Sequence, residues 1–537
     1  MILRAQIFIL IFLTGLVNLC YAQEDKLSAK EYYDMGFYKD ALNEYLKEFK
    51  KNPGDYNIHR RIGACYLQLN DDRSKAIDYL EFAWKNDRKH CTGEFLLDIA
   101  NAYRYGYRFE EAIEKFKEFR VATNPKNYEY IDREIEMCEN AKELIKSPID
   151  ISFINLGKEV NSTEADYYPF VNKDESYLVF TSRRKGSTGN MLGYQGYYTS
   201  DIYYSKVVDG KWVKAKGISP TINTIEDEQC VGLSSNGMEL LIYEENGETI
   251  GDIFICENTT GKGFSKTKAI YGMVNSDDME TEAFVNNEAT TIYFTSNRPG
   301  GYGGYDLYMS HVLPDGNWAQ PTNLGPSVNS KYDEGFPRIT EDEKTLYFCS
   351  KGHKSMGGYD IFVSKWDEEK QTWNEPKNIG FPLNTPEDNM CYSLCANERD
   401  AYISSWRKEG MGDIDIWKVV FNTVEQKQTA LKVKVLINDS TVEKIEANVL
   451  IESKKLDKPI SKKVNPKTGK VIVSLGPGIY DITVKSEGYE EVKETVKILD
   501  MSDYKSVIEK KIELVKPPSP ETEKKKTVKK APAKKGN

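Results

Sequence analysis

The chain has 537 residues and a formal net charge of −10, with 39% hydrophobic and 29% charged side chains. This length exceeds what one hydrophobic core supports and predicts about three domains. The charge is uneven, because residues 516–537 carry +6 and residues 23–515 carry −17 once Arg4 is also set apart. An acidic body of this kind argues against nucleic acid as the main partner.

Residues 1–22 have the pattern of a secretory signal peptide. Arg4 gives a positive start, and the apolar run Ile7–Leu16 is too short to span a bilayer. Small residues stand three and one before a cut after Ala22. The alternative is a lipoprotein signal in which Cys20 carries the lipid, although Leu19 is larger than the residue usual before such a cysteine. We therefore expect a protein outside the cytoplasm.

Residues 23–147 carry a helical repeat. Ala41, Ala76 and Ala112 stand in similar settings at spacings of 35 and 36 residues. The helix before each of them has a small residue with an aromatic residue three positions later, namely Ala29 and Tyr32, Gly63 and Tyr66, and Ala100 and Tyr103. The small residues would let paired helices approach closely. This pattern resembles the tetratricopeptide repeat, which implies an α-helical solenoid of three copies with a capping helix over residues 128–145.

The resemblance also implies a binding groove. In stacked helix pairs of this type the first helix of each pair lines the concave face. The positions on that face are Lys30, Tyr33, Asn57, Arg60, Gln68, Asn101 and Arg104. They predict a polar, net basic groove for a protein segment that carries carboxylates, which arginine can bind with two hydrogen bonds.

Residues 148–424 change to the two-residue period of β-strands. A unit of three strands recurs around an aspartate, at Asp201, Asp252, Asp306, Asp360 and Asp415, with spacings of 51, 54, 54 and 55 residues. A fourth strand follows most units, and residues 151–157 supply one more at the start. The count predicts a β-propeller of five blades, with six as the alternative, closed by its first strand. The units resemble TolB-type, WD-like propeller repeats.

The repeated polar residues of this region predict structure rather than catalysis. Because the aspartate of each unit recurs, we expect it to bind turn amides, as at Asp306. With only four histidines and no nucleophile motif, the sequence predicts no catalytic, cofactor or metal site. A glycosidase, which needs two carboxylates, is the enzymatic alternative. One insertion, residues 187–199, breaks the repeat and offers Tyr194, Tyr197 and Tyr198 as a contact surface.

Residues 425–515 contain about seven short strands and predict a β-sandwich. They resemble the carboxypeptidase regulatory-like domain of transthyretin or Ig-like type. Residues 516–537 predict a disordered, lysine-rich tail that could tether the protein to anionic envelope polymer or lipid. Eight cysteines remain after signal cleavage and are expected to be small core residues. The even spacing of Cys391 and Cys395 predicts one strand face and a separation too large for a disulfide.

The order of these regions resembles the PorE-type proteins of Bacteroidetes, without the OmpA-like domain in which such proteins typically end. The resemblance implies a non-enzymatic periplasmic scaffold at the outer membrane that binds cell-envelope proteins, in type IX secretion or envelope assembly. A propeller that binds a glycan or peptide in its central channel is the first alternative, and the glycosidase is the second.

Overall fold

The computed structural model describes residues 27–172, 175–193, 196–208, 211–234, 236–246, 249–258, 263–270, 272–286, 288–395, 397, 399–424, 428–437, 444–498, 505 and 507–517. The predicted signal peptide and all but the first two residues of the predicted tail lie outside these residues. The chain divides into two compact units. One contains the residues up to 139 together with 190–199, and the other contains 140–189 and the residues from 200 onward.

Seven α-helices occupy residues 27–145. They are α1 (Ala29–Asp34), α2 (Tyr38–Lys51), α3 (Tyr56–Gln68), α4 (Ala76–Asn86), α5 (Glu94–Tyr105), α6 (Phe109–Ala122) and α7 (Tyr128–Leu144). Short 3-10 turns lie at Arg73–Lys75, Arg88–His90 and Pro125–Asn127. Local sequence sets the helix starts: Ser28 and Glu31 form a capping box, and Asp55 accepts the first amides of α3. The last helix, α7, begins at Tyr128, where the capping helix is predicted to begin.

The small residues of the repeat allow close helix pairing, as predicted. Ala41, Ala76 and Ala112 are completely buried. A β-carbon added to Gly63 of α3 would lie 2.5 Å from Cγ of Leu80 in α4, closer than real side-chain contacts. The gap between these two helices therefore accepts no side chain at position 63.

The second unit contains five sheets of successive antiparallel strands. The first sheet has β2 (Asp166–Val171), β3 (Tyr177–Ser182), β4 (Asp201–Val208), β5 (Lys211–Trp212) and β6 (Lys216–Gly217), and the second has β7 (Glu228–Leu233), β8 (Glu239–Asn246), β9 (Thr249–Glu257) and β10 (Lys268–Ala269). The third sheet has β11 (Glu280–Val285), β12 (Thr291–Ser296), β13 (Asp306–His311) and β14 (Thr322–Asn323), and the fourth has β15 (Glu334–Ile339), β16 (Thr345–Ser350), β17 (Asp360–Asp367), β18 (Thr372–Trp373) and β19 (Lys377–Asn378). The fifth sheet has β20 (Ser393–Leu394), β21 (Asp400–Ser405) and β22 (Asp415–Phe421) together with the first strand of the region, β1 (Ile151–Asn155). We call them together the five-sheet ring.

The predicted closure of the ring by its first strand is confirmed. β1 pairs antiparallel with β22, from Ile151 opposite Phe421 to Asn155 opposite Trp417. The first sheet packs against the fifth and the second, and the third packs against the second and the fourth. The rings of Tyr347 in the fourth sheet and Tyr392 beside β20 lie 5.3 Å apart, which completes the circle. Closure removes the free edge that β22 would otherwise present.

Four of the five repeated aspartates, Asp201, Asp306, Asp360 and Asp415, bind turn amides, as predicted. Asp306 accepts the backbone N–H groups of Tyr302 and Gly303 at 2.6 and 2.9 Å, and Asp360 accepts that of Met356 at 2.8 Å. These aspartates lie at the starts of β13 and β17 and are almost fully buried. They fix the loop before each third strand.

An asparagine recurs once for each of the five sheets, and its side chain hydrogen-bonds the backbone of the strand that contains the repeated aspartate. Asn329 accepts the N–H of Leu307 at 2.8 Å and donates to its carbonyl at 2.9 Å. The equivalent residues are Asn161, Asn223, Asn275 and Asn384. A single side chain that satisfies both polar groups of a buried backbone unit explains why this residue recurs.

The last seven strands build two further sheets. One has β26 (Lys470–Leu475), β23 (Thr429–Ile437) and β29 (Val507–Leu514), and the other has β25 (Ile460–Lys463), β24 (Asn448–Glu452), β27 (Gly478–Lys485) and β28 (Val492–Ile498). β29 runs parallel to β23. Buried apolar residues of both sheets, such as Val433 and Ile482, form one core. The predicted number of strands is confirmed.

The cysteine prediction needs one correction. All eight cysteines of the described residues are free and buried, as expected of small core residues. Cys391 and Cys395, however, do not share a strand. β20 covers only Ser393 and Leu394, and Cys391 has a φ of +59°. The segment before β20 is bent at Cys391. Alternation of apolar and polar side chains in the sequence does not reveal such a bend.

Candidate functional site

The predicted groove residues lie on the first helices of the three helix pairs. Lys30, Asn57 and Gln68 are exposed, while Tyr33, Arg60 and Asn101 are half-buried and Arg104 is buried. The helical unit thus brings most of them to accessible positions, with one exception.

Arg104 is not open to a partner, which corrects the predicted groove. Its side chain is 6% exposed, and its Nε lies 3.7 Å from Oε2 of Glu134 in α7. It also donates to Oδ1 of Asn101 at 3.3 Å and to the Tyr105 hydroxyl at 3.1 Å. The carboxylate comes from the capping helix α7. Arg104, in the last repeat, is therefore paired with a residue of the protein itself.

Two arginines of α3 lie over aromatic rings of neighbouring repeats. The guanidinium of Arg61 lies 4.8 Å from the ring centre of Tyr33 in α1, and that of Arg60 lies 5.5 Å from the ring of Phe95 in α5. Burial raises the pKa of Tyr33 to about 12, so that its hydroxyl is neutral at physiological pH. Neighbouring helices therefore position both guanidinium groups through apolar contacts.

The aromatic contact continues beyond α5. The Phe95 ring stacks on Trp84 of α4 with 6.1 Å between ring centres and 5° between planes. The guanidinium of Arg88, in the following 3-10 turn, lies 4.7 Å from the Trp84 ring. Arg60 and Arg88 thus stand at the two ends of one stacked pair of rings.

Arg60, Arg61 and Arg88 form no ion pair within the described part of the chain. Arg104, Arg108, Arg120 and Arg133 of the same helices each lie within 4 Å of a carboxylate. A charged group without a counter-ion in a partly covered site favours an anionic ligand. We call Arg60, Arg61 and Arg88 with Tyr33, Phe95 and Trp84 the arginine–ring groove.

One acidic residue belongs to this groove. Asp98 of α5 is half-buried, and burial followed by the charge of Glu94 raises its pKa to about 6 against the opposing effect of Arg60 and Arg61. Asp98 and Arg61 each precede the small residue of their repeat by two positions, at Ala100 and Gly63. Asp98 is not among the groove residues predicted from the sequence. The opposite charges of Asp98 and Arg61 at the same repeat position could have indicated it.

The insertion of the first sheet belongs to the same unit as the helices. Tyr194 lies outside the described residues. Tyr197 and Tyr198 are half-buried, and the loop folds on itself through a hydrogen bond of 2.7 Å from the Gly193 N–H to the Tyr197 carbonyl. A β-carbon on Gly196 would lie 3.8 Å from the Phe37 ring. These tyrosines are partly covered by the protein itself.

The axis of the five-sheet ring is filled by side chains at two levels. Tyr168 and Phe336 lie 4.9 Å apart between ring centres, and Arg338 donates to the Leu233 carbonyl at 2.9 Å. Each contact joins sheets that are not neighbours in the ring and so crosses its axis. Burial lowers the pKa of Arg338 to about 10 and raises that of Glu282, a carboxyl on the innermost strand β11.

No helix in the described part of the chain is long and apolar enough to cross a membrane. No protein-family model and no curated protein matches the sequence.

Solved structures give weak likenesses. TolB from Acinetobacter baumannii has 13% identity and a TM-score of 0.31, covering 55% of this chain and 71% of its own. The RRP9 WD40 repeats have 9% identity and a TM-score of 0.28, covering 51% and 98%. A B. subtilis levansucrase variant has 10% identity and a TM-score of 0.35, covering 52% and 89%. Propeller folds are thus among the neighbours, and the similarity carries no statement about activity.

Proposed function

We propose that the protein is a non-enzymatic scaffold of the cell envelope that binds partner proteins through its helical unit. The observation that carries this proposal is the pair of half-buried arginines, Arg60 and Arg61, which lie over rings and make no ion pair within the described chain. Groups positioned in this way lose little conformational freedom when a partner binds. The periplasm, the outer membrane and type IX secretion or envelope assembly remain what the family resemblance implies.

The architecture that we propose is a tetratricopeptide-type solenoid, a five-bladed β-propeller and a regulatory-like β-sandwich. The alanine spacing and the close approach at Gly63 support the solenoid. Five sheets closed by β1 support the propeller, and the seven final strands support the sandwich. Solenoids of helix pairs expose a concave surface suited to protein ligands.

The alternative of a ligand in the propeller channel has less support. Tyr168, Phe336 and Arg338 occupy the axis, as described above. The glycosidase alternative needs two carboxylates on opposite sides of a substrate. The innermost position held by Glu282 in the third sheet is held in the other four by Tyr168, Cys230, Phe336 and Cys391. Only one of these five equivalent residues is a carboxyl, whereas a glycosidase needs two, so this set of residues favours a structural role over catalysis.

The proposal is tested by capture of partners from a cell-envelope extract with the full chain and a chemical crosslinker. The double variant Arg60→Glu with Arg61→Glu should recover fewer partner proteins than the unchanged chain. The matched control is Lys50→Glu with Lys51→Glu, which makes the same charge change at exposed positions of α2. Equal recovery by both double variants would contradict a role of the groove.

The predicted location is tested separately. We expect the mature chain in the periplasmic fraction and an N-terminus at Gln23. A lipid-bearing N-terminus at Cys20 would replace this by the lipoprotein alternative, and recovery in the cytoplasm with an intact N-terminus would contradict an envelope function.

A further inference from the structure

We infer that the arginine–ring groove binds an acidic protein segment, with carboxylates of the partner seated on Arg61, Arg60 and Arg88. This inference rests on the proposed scaffold function and names the chemistry of the partner. It follows from a comparison of arginines of the helical unit that lie over an aromatic ring. Seven do so, and one of them, Arg73 over Tyr105, donates to the Leu69 carbonyl, which leaves six to compare.

Three of these arginines have both a ring and a carboxylate from the protein itself. Arg108 lies 4.4 Å from the Tyr103 ring and 2.8 Å from Oε1 of Glu81. Arg120 lies 4.1 Å from the Tyr128 ring and donates to both carboxylate oxygens of Asp132 at 2.7 and 3.1 Å. Arg104 has Tyr105 and Glu134 in the same roles. A ring against the guanidinium face and a carboxylate at its edge is thus the recurrent arrangement of these helices.

The other three arginines have the ring but no carboxylate within ion-pair distance, 4 Å, in the described chain. Arg60, Arg61 and Arg88 lie over rings at 5.5, 4.8 and 4.7 Å and make no ion pair in the described part of the chain. The ring contacts a guanidinium through its face, whereas a carboxylate binds the N–H groups at its edge. The edge is therefore left for an acid that comes from outside the chain.

Side-chain contacts link these three sites through the buried ring of Phe95. Arg61 and Arg60 are adjacent in α3, and the stacked rings of Phe95 and Trp84 connect Arg60 to Arg88. The chain of contacts crosses from the first helix pair to the third. An extended segment with several acidic side chains can reach all three sites, while a single small anion can occupy only one.

The groove favours a segment of mixed composition over a uniform polyanion. Asp98 carries a negative charge close to Arg60 and Arg61 and would repel a polymer charged at every unit. Exposed Asn57 can hydrogen-bond a peptide backbone. Acidic residues separated by neutral ones satisfy both conditions.

The test uses the full chain and a fluorescein-labelled peptide of alternating Glu and Ala, with binding followed by fluorescence anisotropy. Each of Arg60→Ala, Arg61→Ala and Arg88→Ala should weaken binding by about tenfold. Arg120→Ala is the matched control, because that arginine also lies over a ring but already has Asp132, and it should leave binding unchanged. Arg61→Lys should not restore full affinity, since an ammonium group lacks the planar fork.

Arg88→Ala keeps the inference falsifiable if the α3 variants fold poorly, because Arg88 is exposed and lies outside the helices. Unchanged peptide binding in this variant and in a folded Arg61→Ala variant would overturn the inference. Tighter binding of polyphosphate or of anionic lipid vesicles than of the peptide, with the same arginine dependence, would also overturn it. Loss of envelope partners in the Arg60 and Arg61 double variant without any peptide binding would leave the scaffold function standing and remove only the acidic-segment inference.

Discussion

Two arginines of the five-sheet ring differ from two arginines of the helical unit in whether a carboxylate of the protein pairs with them. In the ring, Arg184 lies 2.6 Å from Asp166 and Arg298 lies 2.9 Å from Glu280, and both carboxylates are completely buried. In the helical unit, the half-buried Arg60 and Arg61 make no ion pair within the described chain. A charged residue that repeats together with its counter-ion is part of the fold, whereas the proposed partner binding rests on arginines that lack such a pair.

An exception within the ring supports the same distinction. Arg184 donates to the Val160 carbonyl at 2.8 Å. The fourth sheet has Gly352 at the equivalent position, and the next residue, His353, places its Nε2 2.8 Å from the equivalent carbonyl of Val328. The side chain differs between the two sheets, but the contact with the backbone carbonyl is the same. This indicates that the contact stabilises the fold.

The largest expected effect breaks the ring itself. Deletion of β1, residues 151–155, leaves the strand β22 with an unpaired edge in place of five paired residues. We expect this variant to self-associate during size-exclusion chromatography. Ile154→Thr is the control, since Ile154 is 51% exposed and the strand remains. A deletion variant that elutes and melts like the unchanged chain would contradict ring closure.

Removal of a ring arginine should cost more than removal of an exposed one. In Arg298→Ala the buried Glu280 loses its counter-ion, and we expect the free energy of unfolding to fall by about 3–5 kcal/mol. Arg120→Ala removes an exposed pair that water and salt screen, so its cost should be much smaller. Urea unfolding followed by circular dichroism measures both. Equal costs for the two variants would remove the distinction between structural and surface pairs.

Within the helical unit, Arg104 and Arg61 should separate stability from binding. Arg104→Met leaves Glu134 without its arginine in a buried site and should lower the free energy of unfolding by about 1–3 kcal/mol. Arg61→Met keeps an apolar contact with Tyr33 and should change it by no more than about 0.5 kcal/mol. Only Arg61→Met should also weaken binding of the Glu-Ala peptide. A stability loss at Arg61 as large as at Arg104 would assign both residues to the fold.

The smallest expected effect is a dependence of peptide binding on pH. Asp98 has a pKa of about 6, so it loses its negative charge as the pH falls from about 7 to about 5, while the peptide carboxylates stay largely ionised. The charged or titratable groups that face Asp98 are Glu94, Arg60, Arg61 and Tyr33, and burial keeps Tyr33 neutral. Affinity should therefore rise a few-fold on acidification, and Asp98→Asn should remove this rise and bind more tightly at pH 7. An equal rise in Asp98→Asn would contradict the assignment.

The features that repeat along the chain can be predicted from the sequence. The spacing of Ala41, Ala76 and Ala112 predicted the helix pairs, and the aspartate spacing with the solitary first strand predicted five sheets closed by β1. Each copy of a repeat meets the same neighbours, so a residue required in one copy is required in all, and the period becomes visible without the structure.

Which of the predicted groove residues are accessible depends on contacts between distant parts of the chain. The repeat places both Arg60 and Arg104 on the concave face, yet Arg104 lies against Glu134 of the capping helix and Arg60 lies over Phe95. Arg61 and Arg88 were missed for the same reason. A side chain's counter-ion comes from an element distant in sequence, and at the end of an array that element is not a further copy of the repeat. Charge and spacing along the chain therefore cannot tell a buried ion pair from a free arginine.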